Sequence, residues 1–384
     1  MIARNITATI ELLSDVHIGT GTELKRDLDW IAPGDGYVYF ANSDQLLETV
    51  FERAEADGKE MREVANILAG STLAELGEMG WLTREDFHAE SALFRYRLHG
   101  SPATVNIREQ IKDVYGKPYL PGSSLKGALR TVLAVAAADT VKPTLDQLGR
   151  SRSWAGQPVE QQLFGRDPNH DLLRALQVGD SQPVAVTQLA LRRAHIYPTA
   201  SQSYRGRSRG LDVDVEVLRK GTVLTLPIHV PTELLEDHNT PFDIRRREEL
   251  AHWERHSGWL ENLAQAGQEN ARKLLEDEVR FFQERRDVPA VHTFYRRLVD
   301  SYTRLGANEF LVVLGWGGGW HTKTLNRYLK QDERVFDRLV SRYRLNPTGT
   351  HKPGDPFPKS RHLVRNREQA GPPLGWVKVT LHEA

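Results

Sequence analysis

The sequence contains no cysteine among its 384 residues. Without thiols, the chain cannot form a disulfide framework, a thiolate zinc site, an iron–sulfur cluster or a cysteine nucleophile. It also lacks any apolar run close to the roughly 20 residues that cross a bilayer. Residues 1–5 lead directly into an alternating pattern and not into an apolar signal segment. These absences predict a cytoplasmic protein with no membrane partner.

The chain has no net charge either, because 51 acidic residues balance 51 basic ones. The composition therefore carries no overall signature of nucleic-acid binding. The charge is uneven along the chain. Residues 192–220 have a net charge of +4 (7 basic, 3 acidic), residues 233–290 of −5 (9 basic, 14 acidic) and residues 321–384 of +7 (13 basic, 6 acidic). Two basic regions thus flank an acidic one.

What is present is a globular composition, with 39% hydrophobic and 27% charged residues. Ile6, Ala8 and Ile10 alternate with polar residues and predict a half-buried strand, and residues 375–381 predict the last strand. Helical patterns lie between them, at residues 43–69, at 125–138 and, strongly charged, at 243–305. Strands at both ends with helices between them favour an α+β fold over a doubly wound sheet.

The length allows two domains, or one domain with large inserts. We predict an N-terminal domain over residues 1–230 that carries a helical insert. A C-terminal domain over residues 231–384 would contain the charged helical segment, a glycine-rich loop and a closing strand. Residues 197–210, which are rich in Ser, Gly and Arg, are predicted to form a loop or hairpin tip between two strands.

The first candidate site is the start of a helix, with the sequence Pro121-Gly122-Ser123-Ser124-Leu125-Lys126-Gly127-Ala128-Leu129-Arg130. Free backbone N–H groups and hydroxyls converge at such a start, and helix N-termini attract phosphates for that reason. Lys126 and Arg130 are four residues apart and share a helix face. The motif is not a P-loop, because the lysine precedes the second glycine. The alternative is a capped surface helix with two solvated cations.

The second candidate is a glycine-rich loop that begins at Gly315 and ends in His321-Thr322-Lys323-Thr324. Its four glycines remove side-chain bulk, so backbone amides can meet a phosphate. Trp316 and Trp320 offer faces on which bases can stack. The alternative is a tight turn with buried tryptophans.

The third candidate follows the first strand, where Gly19-Thr20-Gly21 precedes a charged stretch with Arg26, Asp27 and Asp29. If RNA passes beside them, two such acids can bind a metal ion or orient a ribose 2′-hydroxyl. More often, acids in such a position are solvated loop residues. We therefore predict no metal site and no cofactor.

These motifs together resemble the RAMP superfamily of CRISPR RNA-binding proteins. Members have a strand that ends in a small glycine motif, as at residues 16–21, and a helix start like residues 121–130. They also have a strand of the type Leu-x-Val-x-Asp-Ser, as at residues 176–181, and a late glycine-rich loop, as at residues 315–319. The resemblance implies a ferredoxin-like core, of the RNA-recognition-motif type, with large helical and loop inserts.

Within the superfamily, the C-terminal segment resembles the fifth subunit of the type III-A Csm effector complex. The matching stretches are Lys323-Thr324, residues 357–361 and residues 373–376. The resemblance implies a non-catalytic subunit that caps the backbone filament at the 3′ end of the crRNA and helps crRNA maturation and target RNA binding in antiviral defence. The implied partners are crRNA, target RNA and the backbone RAMP subunits, with host nucleases as further candidates. Residues 197–210 become a candidate for a hairpin thumb.

Holding a guide of any sequence requires phosphate contacts from cations and backbone amides, not base readout. The residues that we predict to bind RNA are Gly19, Gly21, Arg26, Ser123, Ser124, Lys126, Arg130, Arg205, Arg207, Arg209, Gly317, Gly318, Gly319, Lys323, Thr324, Lys359 and Arg361.

The main alternative is a RAMP endoribonuclease acting on crRNA or target RNA. Such enzymes use a His and a Tyr, or an acid with a metal, and the candidates here are His17, Asp27 and Asp29. No complete set surrounds them, so we predict no catalytic residues. A further alternative is a subunit of the related type III-B (Cmr) complex.

Overall fold

The computed structural model describes residues 4–144, 149–151, 154–167, 171–198, 212–231, 262–283, 285–323, 325–345, 357–358, 360–366 and 369–383. The predicted thumb loop from residue 199 onward, with Arg205, Arg207 and Arg209, lies outside the described residues. So do Thr324, Lys359 and the first part of the helical segment predicted at residues 243–305.

In chain order, the strands are β1 (Arg4–Leu12), β2 (Gly19–Lys25), β3 (Trp30–Ile31), β4 (Tyr37–Ala41), β5 (Phe94–His99), β6 (Asn106–Gln110), β7 (Gln177–Val178), β8 (Leu189–Pro198), β9 (Asp212–Leu218), β10 (Val223–Val230), β11 (Glu309–Val313), β12 (Ser360–Asn366), β13 (Gln369–Pro373) and β14 (Trp376–Glu383). The helices are α1 (Ser43–Ala56), α2 (Met61–Gly70), α3 (Leu73–Glu78), α4 (Gly122–Val141), α5 (Gln157–Phe164), α6 (Leu263–Gln283), α7 (Pro289–Tyr302), α8 (Asn326–Leu329) and α9 (Glu333–Arg342). Within the described ranges, no helix has the length and apolar character needed to cross a membrane.

The first sheet has five strands in the order β11-β14-β1-β10-β7, and all neighbouring pairs are antiparallel. Along the chain, β1, α4, β7, β10, α6 and β11 follow the β-α-β-β-α-β pattern of the ferredoxin-like fold. In space, β14 lies between β11 and β1, so the last strand of the chain is inserted into the ferredoxin-like order. The predictions of an α+β class and a ferredoxin-like core are confirmed.

Helices α4 and α6 cover one face of this sheet. Ala8 and Ile10 of β1 are fully buried, and they share a core with Leu125 and Leu129 of α4. The alternation that predicted β1 therefore marks the face on which α4 packs, because successive side chains of a strand point to opposite faces.

The second sheet has six strands in the order β13-β12-β8-β9-β6-β2, and only the β6–β9 pair is parallel. Strand β2 forms one edge and is exposed over most of its length. Strands from the last third of the chain complete both sheets, since β11 and β14 belong to the first and β12 and β13 to the second. Each sheet therefore contains strands from both sides of residue 230, where we predicted the domain boundary.

The helical insert consists of α1, α2, α3 and the small sheet β3-β4-β5, which enclose a core of their own. The helix predicted over residues 43–69 is interrupted between α1 and α2, where Gly58 has a φ of +79°. Arg53 of α1 closes the insert by binding the Asp86 carboxylate at 2.7 Å. The insert is thus held by its own core and by an ion pair.

Helix α6 approaches the first sheet so closely that only glycine fits at position 267. A Cβ added to Gly267 would lie 2.3 Å from Cδ2 of Phe310, whereas one added to the helical Gly127 of α4 would meet nothing within 4 Å. We expect Gly267→Ala to lower the free energy of unfolding by about 1–3 kcal/mol through overpacking. Gly127→Ala should raise it by up to about 1 kcal/mol through helix propensity. Urea unfolding of the two variants tests this, and shifts of the same sign would contradict the proposed packing.

Candidate nucleic-acid interface

The strand motif at residues 176–181 holds the start of α4. The Gly122 amide donates to the Asp180 carboxylate at 2.7 Å, and the Leu120 amide donates to the Ser181 hydroxyl at 2.9 Å. A Cβ added to Gly122 would lie 2.2 Å from the carbonyl oxygen of Val178. Two motifs that are far apart in sequence therefore form one structural unit. The Asp180 carboxylate accepts the hydrogen bond of a backbone amide that we had expected to bind a phosphate.

The two cations of this helix start have different environments. The guanidinium of Arg130 binds Glu160 at 3.0 Å and Asp171 at 2.8 Å, and it lies 4.4 Å from the centre of the Phe164 ring. Its charge is thus balanced inside the protein, where it ties α4 to α5. Lys126 is half-buried and makes no ion pair with any described residue, and the neighbouring Ser123 is exposed and Ser124 half-buried.

The late glycine loop packs against the N-terminal glycine motif. The Trp316 amide donates to the His17 carbonyl at 2.8 Å. Gly315 has a φ of +70°, and a Cβ added there would lie 2.1 Å from the same carbonyl oxygen. The close backbone approach that the glycines predicted is present, but the backbone that Gly315 approaches is the protein's own.

The other glycines of the loop divide into two kinds. At Gly318 an added Cβ would lie 2.6 Å from Val313, so internal packing favours glycine there. At Gly317 it would lie 3.1 Å from Leu374, and a φ of +97° also favours glycine. Gly319 has a φ of +80° and open space where a side chain would stand. Of the three glycines of this loop that we predicted to bind RNA, Gly319 is the one with room for a ligand.

Both tryptophans of the loop are half-buried and contact other side chains. Trp316 lies 4.7 Å from the Arg108 guanidinium and 4.7 Å from the His362 ring. Trp320 contacts the rings of Phe336 and Phe357 at 5.5 and 5.1 Å. Both tryptophans therefore pack within the protein, which favours the buried alternative over base stacking.

The edge strand β2 exposes the N-terminal glycines. Gly21 is exposed, with a φ of +92°, where the pairing with β6 is irregular. Gly19 is exposed too, and an added Cβ there would lie 2.9 Å from Nε2 of His17. Arg26 follows this strand with half of its side chain exposed, and its guanidinium lies 3.6 Å from the Asp27 carboxylate.

Sequence reasoning missed Arg108, which joins these features. Arg108 lies in β6 opposite Glu23 of β2, and its guanidinium lies over the Trp316 ring. The glycine surface is the name we use for strand β2, Arg108 and residues 315–323. Arg108 stands in an ordinary strand pattern, and no motif distinguishes it.

His17 is a buried neutral side chain and not an accessible general base. It is 2% exposed, and its Nδ1 lies 2.7 Å from the Glu216 carbonyl oxygen. Burial lowers the pKa of His17 to about 4. The fully buried Glu216 carboxylate accepts a hydrogen bond from the Tyr96 hydroxyl at 2.6 Å and pairs with Lys112 at 2.5 Å. A histidine and a tyrosine thus both contact Glu216, but Glu216 is fully buried inside the protein.

The two candidate catalytic acids make contacts typical of turn residues. The Asp29 carboxylate accepts a hydrogen bond from the Lys25 amide at 2.7 Å, and Asp27 has a φ of +59°. In the part of the chain that the structure describes, no three His, Asp or Glu side chains are grouped closely enough to hold a metal ion.

The two cations of the C-terminal segment also differ. Arg361 is 8% exposed, its Nε donates to both Glu278 carboxylate oxygens at 2.9 Å, and its guanidinium lies 4.0 Å from the Phe281 ring centre. Arg361 thus links β12 to α6. Lys323 is exposed and has no ion-pair partner among the described side chains.

The class of protein follows from this architecture, a ferredoxin-like core with glycine motifs gathered at its surface. The family model of the RAMP superfamily matches residues 9–320. The chain belongs to the RAMP superfamily.

The relatives then indicate a particular subunit. The chain is 23% identical over 417 residues to the CRISPR system Cms protein Csm5 of Methanocaldococcus jannaschii, covering 100% of this chain and 91% of the relative. It is 25% identical over 205 residues to Csm5 of Streptococcus thermophilus, covering 49% and 54%. The resemblance to the fifth Csm subunit is confirmed.

Solved structures share the fold. A chain in the cryo-EM structure of a Csm–crRNA–target RNA ternary complex from a type III-A CRISPR-Cas system superposes with a TM-score of 0.67 at 23% identity, covering 99% of this chain and 100% of that chain. The crystal structure of T. onnurineus Csm5 superposes with a TM-score of 0.60 at 23% identity, covering 96% and 99%.

The contacts of Arg361 predict a role in stability. Arg361→Ala leaves the Glu278 carboxylate buried without its cation, so we expect a loss of about 3–5 kcal/mol in the free energy of unfolding. Lys323→Ala, the exposed control, should change it by at most about 0.5 kcal/mol. Denaturant titration measures both free energies of unfolding. Equal stability of the two variants would contradict the structural role and make Arg361 a candidate RNA contact again.

The environment of His17 predicts a pH dependence. The pKa of His17 is near 6.5 in the unfolded chain and about 4 in the folded one. Between these values the unfolded state binds more protons, so stability is complete above pH 6.5 and falls as the pH drops. From pH 7 to pH 4 the loss from His17 should be about 3 kcal/mol. Unfolding free energies of the native chain and of His17→Asn at both pH values test this, and parallel pH profiles would refute it.

Proposed function

We propose that this protein is the fifth subunit of a type III-A Csm effector complex and binds crRNA there without cutting it. The observation that carries the proposal is the convergence of the superfamily motifs into two surface units, the helix start of α4 and the glycine surface. The similarity to a Csm5 protein over the full length of the chain supports the same assignment.

The RNA contacts that the geometry supports are cations and glycines that remain at least partly exposed. Lys126 and Ser123 lie at the helix start, while Gly19, Gly21, Gly319 and Lys323 lie on the glycine surface, and Arg26 follows its edge strand. Arg130 and Arg361 are bound to carboxylates, so we leave them out. Phosphate contacts from a few lysines and backbone amides suit a guide of variable sequence, since they carry no base information.

The finer parts of the proposal concern place and partners. By its resemblance to the fifth subunit, the protein caps the backbone filament at the 3′ end of the crRNA, next to a backbone RAMP subunit, and helps guide maturation and target RNA binding. Host nucleases are candidate partners in maturation, and the cytoplasm is the proposed compartment. The test is co-expression with the backbone subunits and a guide. Complexes formed without this chain should carry guides of altered 3′ length.

A non-catalytic role agrees with the burial of His17 and with the turn contacts of Asp27 and Asp29. The relatives carry the Csm name, so a type III-B subunit is not favoured. Incubating labelled single-stranded RNA with the pure protein and divalent metal should leave the RNA intact. Cleavage that disappears in Asp29→Ala would instead support the endoribonuclease alternative.

Lys126 and Lys323, which make no ion pair with a described residue, should act electrostatically. Each phosphate contact to single-stranded RNA contributes about 0.7 to the slope of log K against log salt. We therefore expect Lys126→Ala with Lys323→Ala to weaken binding for all RNA sequences and to reduce the slope by about 1.4. Lys59→Ala, in the helical insert, removes the same charge and should change neither quantity. Filter binding at several salt concentrations measures this, and an unchanged slope in the double variant contradicts the assignment.

A further inference from the structure

A short hairpin at residues 111–118 presents two apolar side chains to solvent immediately before the helix start of α4. Val114 is 93% exposed and Tyr115 is 83% exposed. Lys112 and Pro118 pair at its base. Tyrosine is enriched at interfaces, because its ring is apolar and its hydroxyl is polar.

The hairpin is held rigidly, so the exposure of Tyr115 is a feature of the fold. The Asp113 carboxylate accepts hydrogen bonds from the amides of Tyr115 and Lys117 at 2.9 and 2.8 Å, and Gly116 takes a φ of +74°. At the base, Lys112 reaches the buried Glu216 at 2.5 Å. An aromatic ring on such a support loses little conformational entropy when it binds a ligand.

Single-stranded RNA held without sequence preference normally combines phosphate contacts with aromatic rings on which bases stack. Trp316 and Trp320 are half-buried and pack against other side chains, so they are less available as stacking rings. Among the described residues, the exposed large aromatic side chains are Tyr115 and Trp154. Tyr115 lies two residues before the exposed Lys117, on the segment that leads into the helix start with Lys126.

We propose that Tyr115 is a base-stacking residue for single-stranded RNA whose phosphates contact Lys117 and the start of α4. This inference rests on the proposed function and adds a residue to that site. Two observations favour RNA over a groove in a protein partner. The exposed cation Lys117 follows two residues after the ring, and the Asp113 carboxylate before it is held by two backbone amides.

The experiment compares three variants of the full-length chain by fluorescence anisotropy with labelled single-stranded RNA. Tyr115→Phe keeps the ring and should bind within about twofold of the native chain. Tyr115→Ala and Tyr115→Leu remove the ring and should each bind roughly tenfold more weakly, with an unchanged salt slope. Trp154→Leu is the matched control for an exposed aromatic residue and should bind normally. Because Tyr115 touches little of the protein, all melting temperatures should agree within a few degrees.

Each other outcome has a distinct meaning. Normal binding by Tyr115→Ala overturns the stacking role and leaves the proposed function standing. If Tyr115→Leu binds RNA as well as Tyr115→Phe, while Tyr115→Ala fails only in assembly with backbone subunits, the hairpin is an apolar protein contact and the inference is wrong. If the native chain binds no RNA, the proposed function fails together with the inference.

Discussion

The hydrogen bond from the Trp316 amide to the His17 carbonyl joins the segment after β1 to the loop after β11, at the point where both sheets meet. Around it, the Gly375 amide donates to the Asp15 carbonyl at 2.9 Å, and the Leu314 amide donates to the Gly375 carbonyl at 2.8 Å. Three segments that leave the first sheet are thus interlocked by backbone groups alone. Glycine is required there because a side chain at 315 or 375 would collide with a carbonyl oxygen. The position of the glycine surface follows from this junction.

The cations of this neutral protein stand in two kinds of environment: some bind carboxylates, and others do not. Arg53, Arg130 and Arg361 each bind a carboxylate and connect one element to another. Arginine suits this role because its planar guanidinium matches a carboxylate with two parallel donors. Lys126 and Lys323 are among the cations that make no ion pair with a described residue and so remain available to a polyanion. A protein with no net charge can therefore still present local sites for phosphate.

The buried Glu216 has a comparable organising role within the second sheet. Its carboxylate binds Lys112 and Tyr96, and its carbonyl oxygen lies beside Nδ1 of His17. A buried ion pair is a weak source of net stability, but breaking one is strongly destabilising, so it specifies where its partners must lie. Through Lys112, this pair fixes the base of the hairpin that carries Tyr115, and it keeps His17 away from solvent.

The sequence by itself determined the elements and the motifs of this protein. The alternation of Ile6, Ala8 and Ile10 predicted β1, and the motifs together indicated the RAMP superfamily. The Pro121-Gly122-Ser123-Ser124 stretch predicted a helix from residue 125, and α4 begins three residues earlier, at Gly122. Local propensity and period carry that information, because they act over a few residues. Only the tertiary structure decided which cations face solvent. Arg130 and Arg361 bind carboxylates at distant sequence positions, Trp316 contacts Arg108 and His362, and Tyr115 is left 83% exposed. Such pairings depend on chain crossings that no local pattern encodes, so sequence reasoning could name the candidate residues but not separate surface contacts from internal ones.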